Sequence, residues 1–304
     1  MKNGTCWTDD RGELIQAHGG MILAHEGVFY WYGEHKGAPN VPDTRRVDVI
    51  GISCYSSRDL VCWHYEGLVL PAQPDDPASH LHPSRVVERP KVLYNRQTGQ
   101  FVLWMHVDSP DYTFAGAGCA VSDSPVGPFR YLRGTQPNRR DCRDMTAFVD
   151  DDGSAWLIHS GDWNKTMYFS RLTDDYTGFT GEIYPAFIDQ SREAPALLKR
   201  DGLYYLISSG CTGWAPNPAL YAVSSRLTCG WQLIDNPCAG EGARTTYDGQ
   251  SAYLFEQEGQ AYLMLDHWKS NDLMHSGYSI LPVSLGGGRM EVHWQEEFSG
   301  LARS

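Results

Sequence analysis

The strongest constraint on this chain's fold is one hairpin pattern that returns five times. Gly20 to Gly33 (GMILAHEGVFYWYG), Pro90 to His106 (PKVLYNRQTGQFVLWMH), Met145 to His159 (MTAFVDDDGSAWLIH), Ala194 to Ser208 (APALLKRDGLYYLIS) and Ser251 to Asp266 (SAYLFEQEGQAYLMLD) each read as strand, polar turn, strand. Their turns combine Gly with Asp, Glu, Asn or Thr, which reach the positive φ of tight hairpins at small steric cost. A second strand pair follows each: Val49 to Leu70, Ala117 to Leu132, Met167 to Gly181, Leu220 to Ile234 and Gly277 to Trp294. The unit recurs at loose intervals of roughly 50–70 residues, and helical periodicity is nearly absent. A four-stranded unit repeated five times predicts an all-β, five-bladed β-propeller. No Pro/Ser-rich linker interrupts the repeat, so residues 1–304 are expected to form one propeller domain rather than the two that length alone implies.

Charge narrows the partners. Lys and Arg number 25 against 37 Asp and Glu, a net charge of −12, which repels nucleic acid and anionic membrane surfaces. No apolar run approaches the ~20 residues of a membrane span, and Met1-Lys2-Asn3-Gly4 opens without the apolar core of a signal peptide. A cytoplasmic location is expected, or a secreted one if a signal peptide has been removed. The eight cysteines form no C-x-x-C pair and are expected to be mostly free thiols. Aromatic residues make up 12% of the chain, beside 31 Gly and 17 Pro, a mixture that suits short strands, tight turns and a flat-faced ligand such as a carbohydrate.

Polar residues that open a propeller's inner strands face the mouth of its central channel. Four such segments precede apolar strands: Glu88-Arg89-Pro90-Lys91, Arg143-Asp144-Met145-Thr146, Arg192-Glu193-Ala194-Pro195-Ala196 and Asp248-Gly249-Gln250-Ser251. A single acidic residue in such a place is ordinarily a solvated turn residue, but equivalent positions in successive blades converge. Converging carboxylates raise one another's proton affinity, and glycosidic cleavage needs one acid protonated while another stays charged. Neighbours on a strand point to opposite faces, so Arg89, Arg143 and Arg192 are expected to tie blades together rather than pair with the adjacent acid.

These blade starts, with Ala17-His18-Gly19-Gly20, Arg192-Glu193-Ala194-Pro195 and the closing Tyr278-Ser279-Ile280-Leu281-Pro282-Val283, resemble glycoside hydrolase family 43 over nearly the whole chain. Members are five-bladed propellers that invert anomeric configuration. Gln16-Ala17-His18-Gly19-Gly20, Tyr30-Trp31-Tyr32-Gly33-Glu34, Glu88-Arg89-Pro90-Lys91-Val92, Arg143-Asp144-Met145-Thr146 and the Ser209 to Asn217 segment are similar to its exo-β-1,3-galactanase branch. The resemblance implies Glu193 as general acid, Asp144 as the group that tunes and orients it, and Glu88 as a ligand of the terminal sugar. Most of the family carries a general-base Asp just after a His, where this chain has His18-Gly19. In the branch a Gln takes the water instead, through its imidic acid tautomer, and Gln250 is the matching residue.

Glu193 and Gln250 are then expected to stand across the sugar ring, at the ~6.5–9.5 Å of an inverting site, with Glu88 as the next candidate base. Glu34, Tyr112, Asn164 and Thr212 match hydroxyl-binding positions, and Trp214 is the candidate stacking platform. Trp31, Trp104 and Trp156 lie inside strands and are expected to pack blades. The implied substrate is a β-1,3-galacto-oligosaccharide or galactan, cleaved from the non-reducing end. No cofactor or metal is expected, because acid–base hydrolysis requires none; Asp150-Asp151-Asp152-Gly153 reads as a solvated hairpin tip. The alternatives are an α-L-arabinofuranosidase or β-xylosidase, a phosphorylase using Arg89, Arg143 and Arg192 to hold phosphate, and a non-catalytic carbohydrate-binding propeller.

Overall fold

Each expected hairpin forms, and each supplies the two inner strands of a blade. In the computed structural model, which describes residues 1–300, blade one comprises His18–His25, Val28–Glu34, Gly51–Ser57 and His64–Pro71; blade two comprises Val86–Asn95, Gln100–Asp108, Gly116–Ser122 and Arg130–Thr135. Blade three is Met145–Val149, Ala155–Gly161, Thr166–Leu172 and Phe179–Ala186, and blade four is Arg192–Arg200, Leu203–Gly210, Leu220–Ser224 and Gln232–Leu233. Blade five is Gln250–Gln257, Gln260–His267, Gly277–Gly286 and Arg289–His293, with Cys238–Ala239 added in parallel to its outer edge. Within each four-stranded blade, neighbours in the chain pair antiparallel, and the first strand of each blade contacts those of the blades on either side, closing a ring of five.

What holds the ring is packing between blades. Five separate apolar clusters occupy the five blade boundaries, and the strand tryptophans lie within them: Trp31 and Trp104 are fully buried and Trp156 nearly so. The boundary between blades five and one also takes in residues near the start of the chain. Gly4 N–H donates to Tyr278 O, Tyr278 N–H donates to Thr5 O, and Trp7 packs against Trp31 and Tyr278 at 5.9 and 5.7 Å. Trp31 in turn meets Trp63 at 5.3 Å and Tyr278 at 4.9 Å, both edge to face, so one indole joins three elements.

Two expectations change here. The Asp150 carboxylate does more than meet solvent at its hairpin tip, since it accepts from Lys199 Nζ and Tyr204 Oη of blade four and ties the two blades together. Arg192 does not bridge blades, because its guanidinium donates to Oγ and O of Ser208 within its own blade. All eight cysteines are free thiols.

The inner strands are irregular at the end that forms the channel mouth. Strand register shifts between His18 and Met21, between Glu88 and Lys91, and between Glu193 and Ala196. Gly19, Arg89 and Ala194, inside those three bulges, all have positive φ (57°, 54° and 51°). A bulge breaks the two-residue alternation of a strand and re-aims its side chains, so Glu88 and Arg89 both line the same cleft.

Removing the Trp31 side chain opens a hole in the blade five to blade one boundary. Trp31→Ala is expected to lower stability by about 3–5 kcal/mol in urea unfolding, whereas Ile188→Ala, at an exposed position, changes it by no more than about 0.5 kcal/mol.

Candidate active site

The bulged strand ends surround a cleft of about 430 Å³, within the range of small-ligand pockets. Glu34, Glu88, Asp144, Glu193, Gln250, Tyr112, Asn164 and Trp214 all line it, so eight of the nine site residues expected from sequence come together. Thr212 is the exception: its hydroxyl donates to Ala215 O at 2.6 Å and accepts from Asn217 Nδ2 at 2.8 Å, shaping the loop that carries Trp214.

Arg89 organises the cleft. Its Nε and Nη2 lie 3.1 and 3.0 Å from the two oxygens of Asp144, its Nη2 donates to Gln250 Oε1 at 2.6 Å, and its Nη1 donates to Ser251 O at 3.1 Å. Its backbone N–H donates to Glu34 Oε1 at 2.9 Å. A residue of blade two thus binds blades one, three and five. Asp144 completes the set by accepting the N–H of Ala194 in blade four at 3.0 Å.

That last bond places Asp144 beside Glu193. Burial and then the Asp144 charge push the Glu193 carboxyl up to about 8, with Arg89 opposing. Glu193 therefore holds its proton at neutral pH, the state of a general acid. Asn164 Nδ2 lies 3.2 Å from its Oε2 and Gln250 Nε2 lies 3.2 Å from its Oε1.

Glu88 is tuned the other way. Burial alone would raise it, but His106, Lys36 and Tyr112 outweigh that and hold it at about 2. Tyr112 Oη donates to Glu88 at 3.0 Å, and His106 lies between Glu88 at 3.3 Å and Asp108 at 2.9 Å. Burial opposes charge on His106, yet Asp108 and Glu88 raise it to about 9, so an imidazolium stands between two carboxylates. Glu34 pairs with Lys36 Nζ at 2.6 Å, while burial raises its carboxyl despite that cation. The Glu34 carboxylate also fills the space beside Gly19, where a Cβ would run into Glu34 Oε1. The position without an Asp is thus already occupied by a different carboxylate, reached from the second strand of the same blade.

Gln250 departs from the expected geometry. Instead of facing Glu193 across a ring-sized gap, its amide nitrogen is in direct contact with the acid and also donates to Ser209 Oγ at 3.0 Å. Its Oε1 accepts both from Arg89 and from Trp268 Nε1, the latter at 2.9 Å. These two donors are the stabilising neighbours that sequence did not reveal. They favour negative charge on the amide oxygen and oppose a hydroxyl there, so they support an imidate-like amide over the imidic acid form.

Trp268, Lys36 and His106 are cleft residues that sequence reasoning did not select for the site. Trp268 packs edge-on against Trp214, with ring centroids 5.4 Å apart. The pattern offered one usable signal, because His106 ends the blade two hairpin at the register position opposite Glu88. Of the histidines near inner-strand ends, His18 stacks on Tyr278, while His159 and His267 contact Ser170 and Ser279 through Nε2. Of the arginines that a phosphorylase would need, Arg89 is engaged as above. Arg143 is taken up by Asp141, Tyr112 O and the Trp163 ring, and Arg192 lies outside the cleft.

A carboxyl raised by burial beside a salt-bridged one, at the mouth of a five-bladed propeller, is the arrangement that acid-assisted glycosidic cleavage requires. Residues 20–233 match the model of glycosyl hydrolases family 43, and the chain belongs to that family. It is similar to a family 43 β-1,3-galactosidase solved with galactodeoxynojirimycin, with 35% identity, 98% of this chain and 99% of that one covered, and a TM-score of 0.91. A variant of the exo-β-1,3-galactanase of Phanerochaete chrysosporium, solved with β-1,3-galactotriose, is 32% identical over 96% of this chain and 66% of its own, with a TM-score of 0.88. The β-D-galactofuranosidase xynD of Aspergillus niger is 25% identical over 184 residues, 55% of this chain, which spans about half (51%) of that curated relative.

The raised Glu193 carboxyl makes two outcomes measurable. By carbon-13 NMR, Glu193 is expected to titrate at about pH 8 and at lower pH in Asp144→Asn, which removes a charge that raises it. The folded protein keeps this proton up to about 8 whereas the unfolded chain releases it near 4.5, so native stability from this group falls as pH rises through that window. Between pH 5 and 8.5 the Tm of Glu193→Gln is therefore expected to fall less than that of the unaltered protein.

Proposed function

We propose that this enzyme is an exo-acting, inverting hydrolase that releases galactose from the non-reducing end of β-1,3-linked galacto-oligosaccharides or galactan. The observation that carries this reading is the near end-to-end likeness to the β-1,3-galactosidase, at a TM-score of 0.91 over 98% of the chain. Glu193 gives its proton to the glycosidic oxygen as the bond from that oxygen to C1 breaks. A water attacks C1 from the opposite face, forming the new C–O bond of α-galactose, and its released proton restores Glu193 at the end of the cycle. Asp144 keeps the Glu193 proton in place at neutral pH, and the ionised Glu88, with Tyr112 and Asn164 nearby, offers fixed partners for sugar hydroxyls. Trp214 and Trp268 offer apolar faces for the C–H side of the ring.

Gln250 takes the water's proton on Nε2 as an imidate, becoming the neutral amide, only when its contact with Glu193 opens as sugar enters, and a proton passes from Nε2 to the Glu193 carboxylate when that contact re-forms. The 3.2 Å contact gives the second reading, in which Glu88, ionised and lining the same cleft, is the acceptor.

Proton NMR of β-1,3-galactobiose hydrolysis is expected to show α-galactose first. Initial β-galactose would exclude inversion, and cleavage of aryl galactofuranoside, arabinofuranoside or xyloside in its place would reassign the substrate. Glu193→Gln is expected to lower kcat by ~10²–10⁴-fold, and by much less on a dinitrophenyl galactoside, whose leaving group needs no proton. Gln250→Ala is expected to abolish hydrolysis while retaining sugar affinity. Full activity there, together with an inactive Glu88→Gln, assigns the acceptor role to Glu88.

A further inference from the structure

Among the described residues, Trp163 is the one exposed tryptophan of the ten, with 65% of its surface accessible, and the hydrolytic machinery above does not use it. It sits in a turn whose three residues, Asp162, Trp163 and Asn164, all take left-handed conformations (φ 52°, 57° and 63°). Residues other than glycine adopt that region at an energetic cost, and runs of them persist where surrounding contacts enforce them. Here the Asp141 carboxylate enforces it by accepting the backbone N–H groups of Asp162 and Trp163.

This turn has two ends of different use. Asn164 reaches into the cleft and contacts Glu193. Trp163 points outward, and one face of its ring is backed by the Arg143 guanidinium, 4.2 Å from the centroid. Arg143 is itself fixed by Asp141 and by Tyr112 O at 3.2 Å, and Tyr112 holds Glu88. The indole is thus connected rigidly to the sugar-binding end of the cleft, with its other face open. An open aromatic face held in one orientation binds a flat apolar surface with little ordering entropy left to lose.

We infer that Trp163 is a platform for the leaving-group side of the substrate, and stacks on a sugar beyond the bond that is cut. Direction follows from chemistry: Glu193 protonates the leaving oxygen, so the departing chain lies on the Glu193 flank, where Asn164 and Trp163 stand. Trp163 therefore governs how strongly the enzyme favours longer chains over substrates with a short leaving group. This inference rests on the β-1,3-galactoside reading.

The experiment compares kcat/KM for β-1,3-galactotriose and for β-galactosyl fluoride, whose leaving group has no ring to stack, in the unaltered enzyme, Trp163→Leu and Trp163→Tyr. Leucine keeps apolar cover over Arg143 but lacks the flat face, and tyrosine restores it. The galactotriose to galactosyl fluoride ratio is expected to fall about tenfold in Trp163→Leu, mainly through KM, and to stay within about twofold in Trp163→Tyr; tenfold corresponds to about 1.4 kcal/mol. An unchanged ratio, or equal loss on both substrates, overturns the platform. In Glu193→Gln protein, galactotriose but not galactose is expected to protect Trp163 from oxidation by N-bromosuccinimide, and equal oxidation with either sugar overturns it as well. Unaltered enzyme that releases no galactose from galactotriose overturns the galactanase reading and the platform together, whereas release with an unchanged ratio overturns the platform alone.

Discussion

The Arg89 guanidinium is the interaction on which the rest of the site depends. It is almost fully buried, and it survives burial because it is enclosed by acceptors from other blades: Asp144, Gln250 Oε1 and Ser251 O, with Glu34 on its backbone N–H. The asymmetry of buried charge makes this arrangement sensitive, since loss of one partner leaves the other uncompensated in a region that water hardly reaches. Glu34 and Asp144 both help hold the cation at full charge, and burial together with the same cation pulls the fully buried Lys91 nearby down to about 7. The centre of the propeller therefore stabilises one cation, Arg89, and disfavours a second beside it.

Two carboxyl groups in one cleft reach opposite protonation states through this arrangement. Glu193 has Asp144 as a neighbour and lies deep, so burial and like charge keep its proton on. Glu88 is largely buried too, yet hydrogen bonds from His106 and Tyr112 and the nearby charge of Lys36 reverse the effect of burial. The residues that cause the difference are mostly not acids. Asp108 orients and charges His106, which keeps Glu88 ionised, so part of the acid–base division is controlled from a residue wholly outside solvent.

The blade pattern was readable because a hairpin is local: turn chemistry and strand periodicity lie within some fifteen residues, as in Ala194 to Ser208. The acids at blade starts were readable for the same reason, since repetition places equivalent positions on a common mouth. Side-chain direction at those positions was not. Strict alternation sends Arg89 away from Glu88, but the bulge between Glu88 and Lys91 turns both into the cleft. The same holds for Thr212, whose place in a motif was evident while its capture by Ala215 O and Asn217 was not.

Sequence by itself determined the all-β class, the five repeats, and the carboxylates and amide that open the inner strands. Tertiary structure alone decided which of these groups touch. It set Gln250 against Glu193 rather than across a ring from it, put the Glu34 carboxylate where Gly19 has no side chain, and brought Trp268 to the amide of Gln250. The reason is physical: backbone propensity acts between residues close in the chain, whereas proton affinity and side-chain aim depend on neighbours about 3 Å away that belong to other blades.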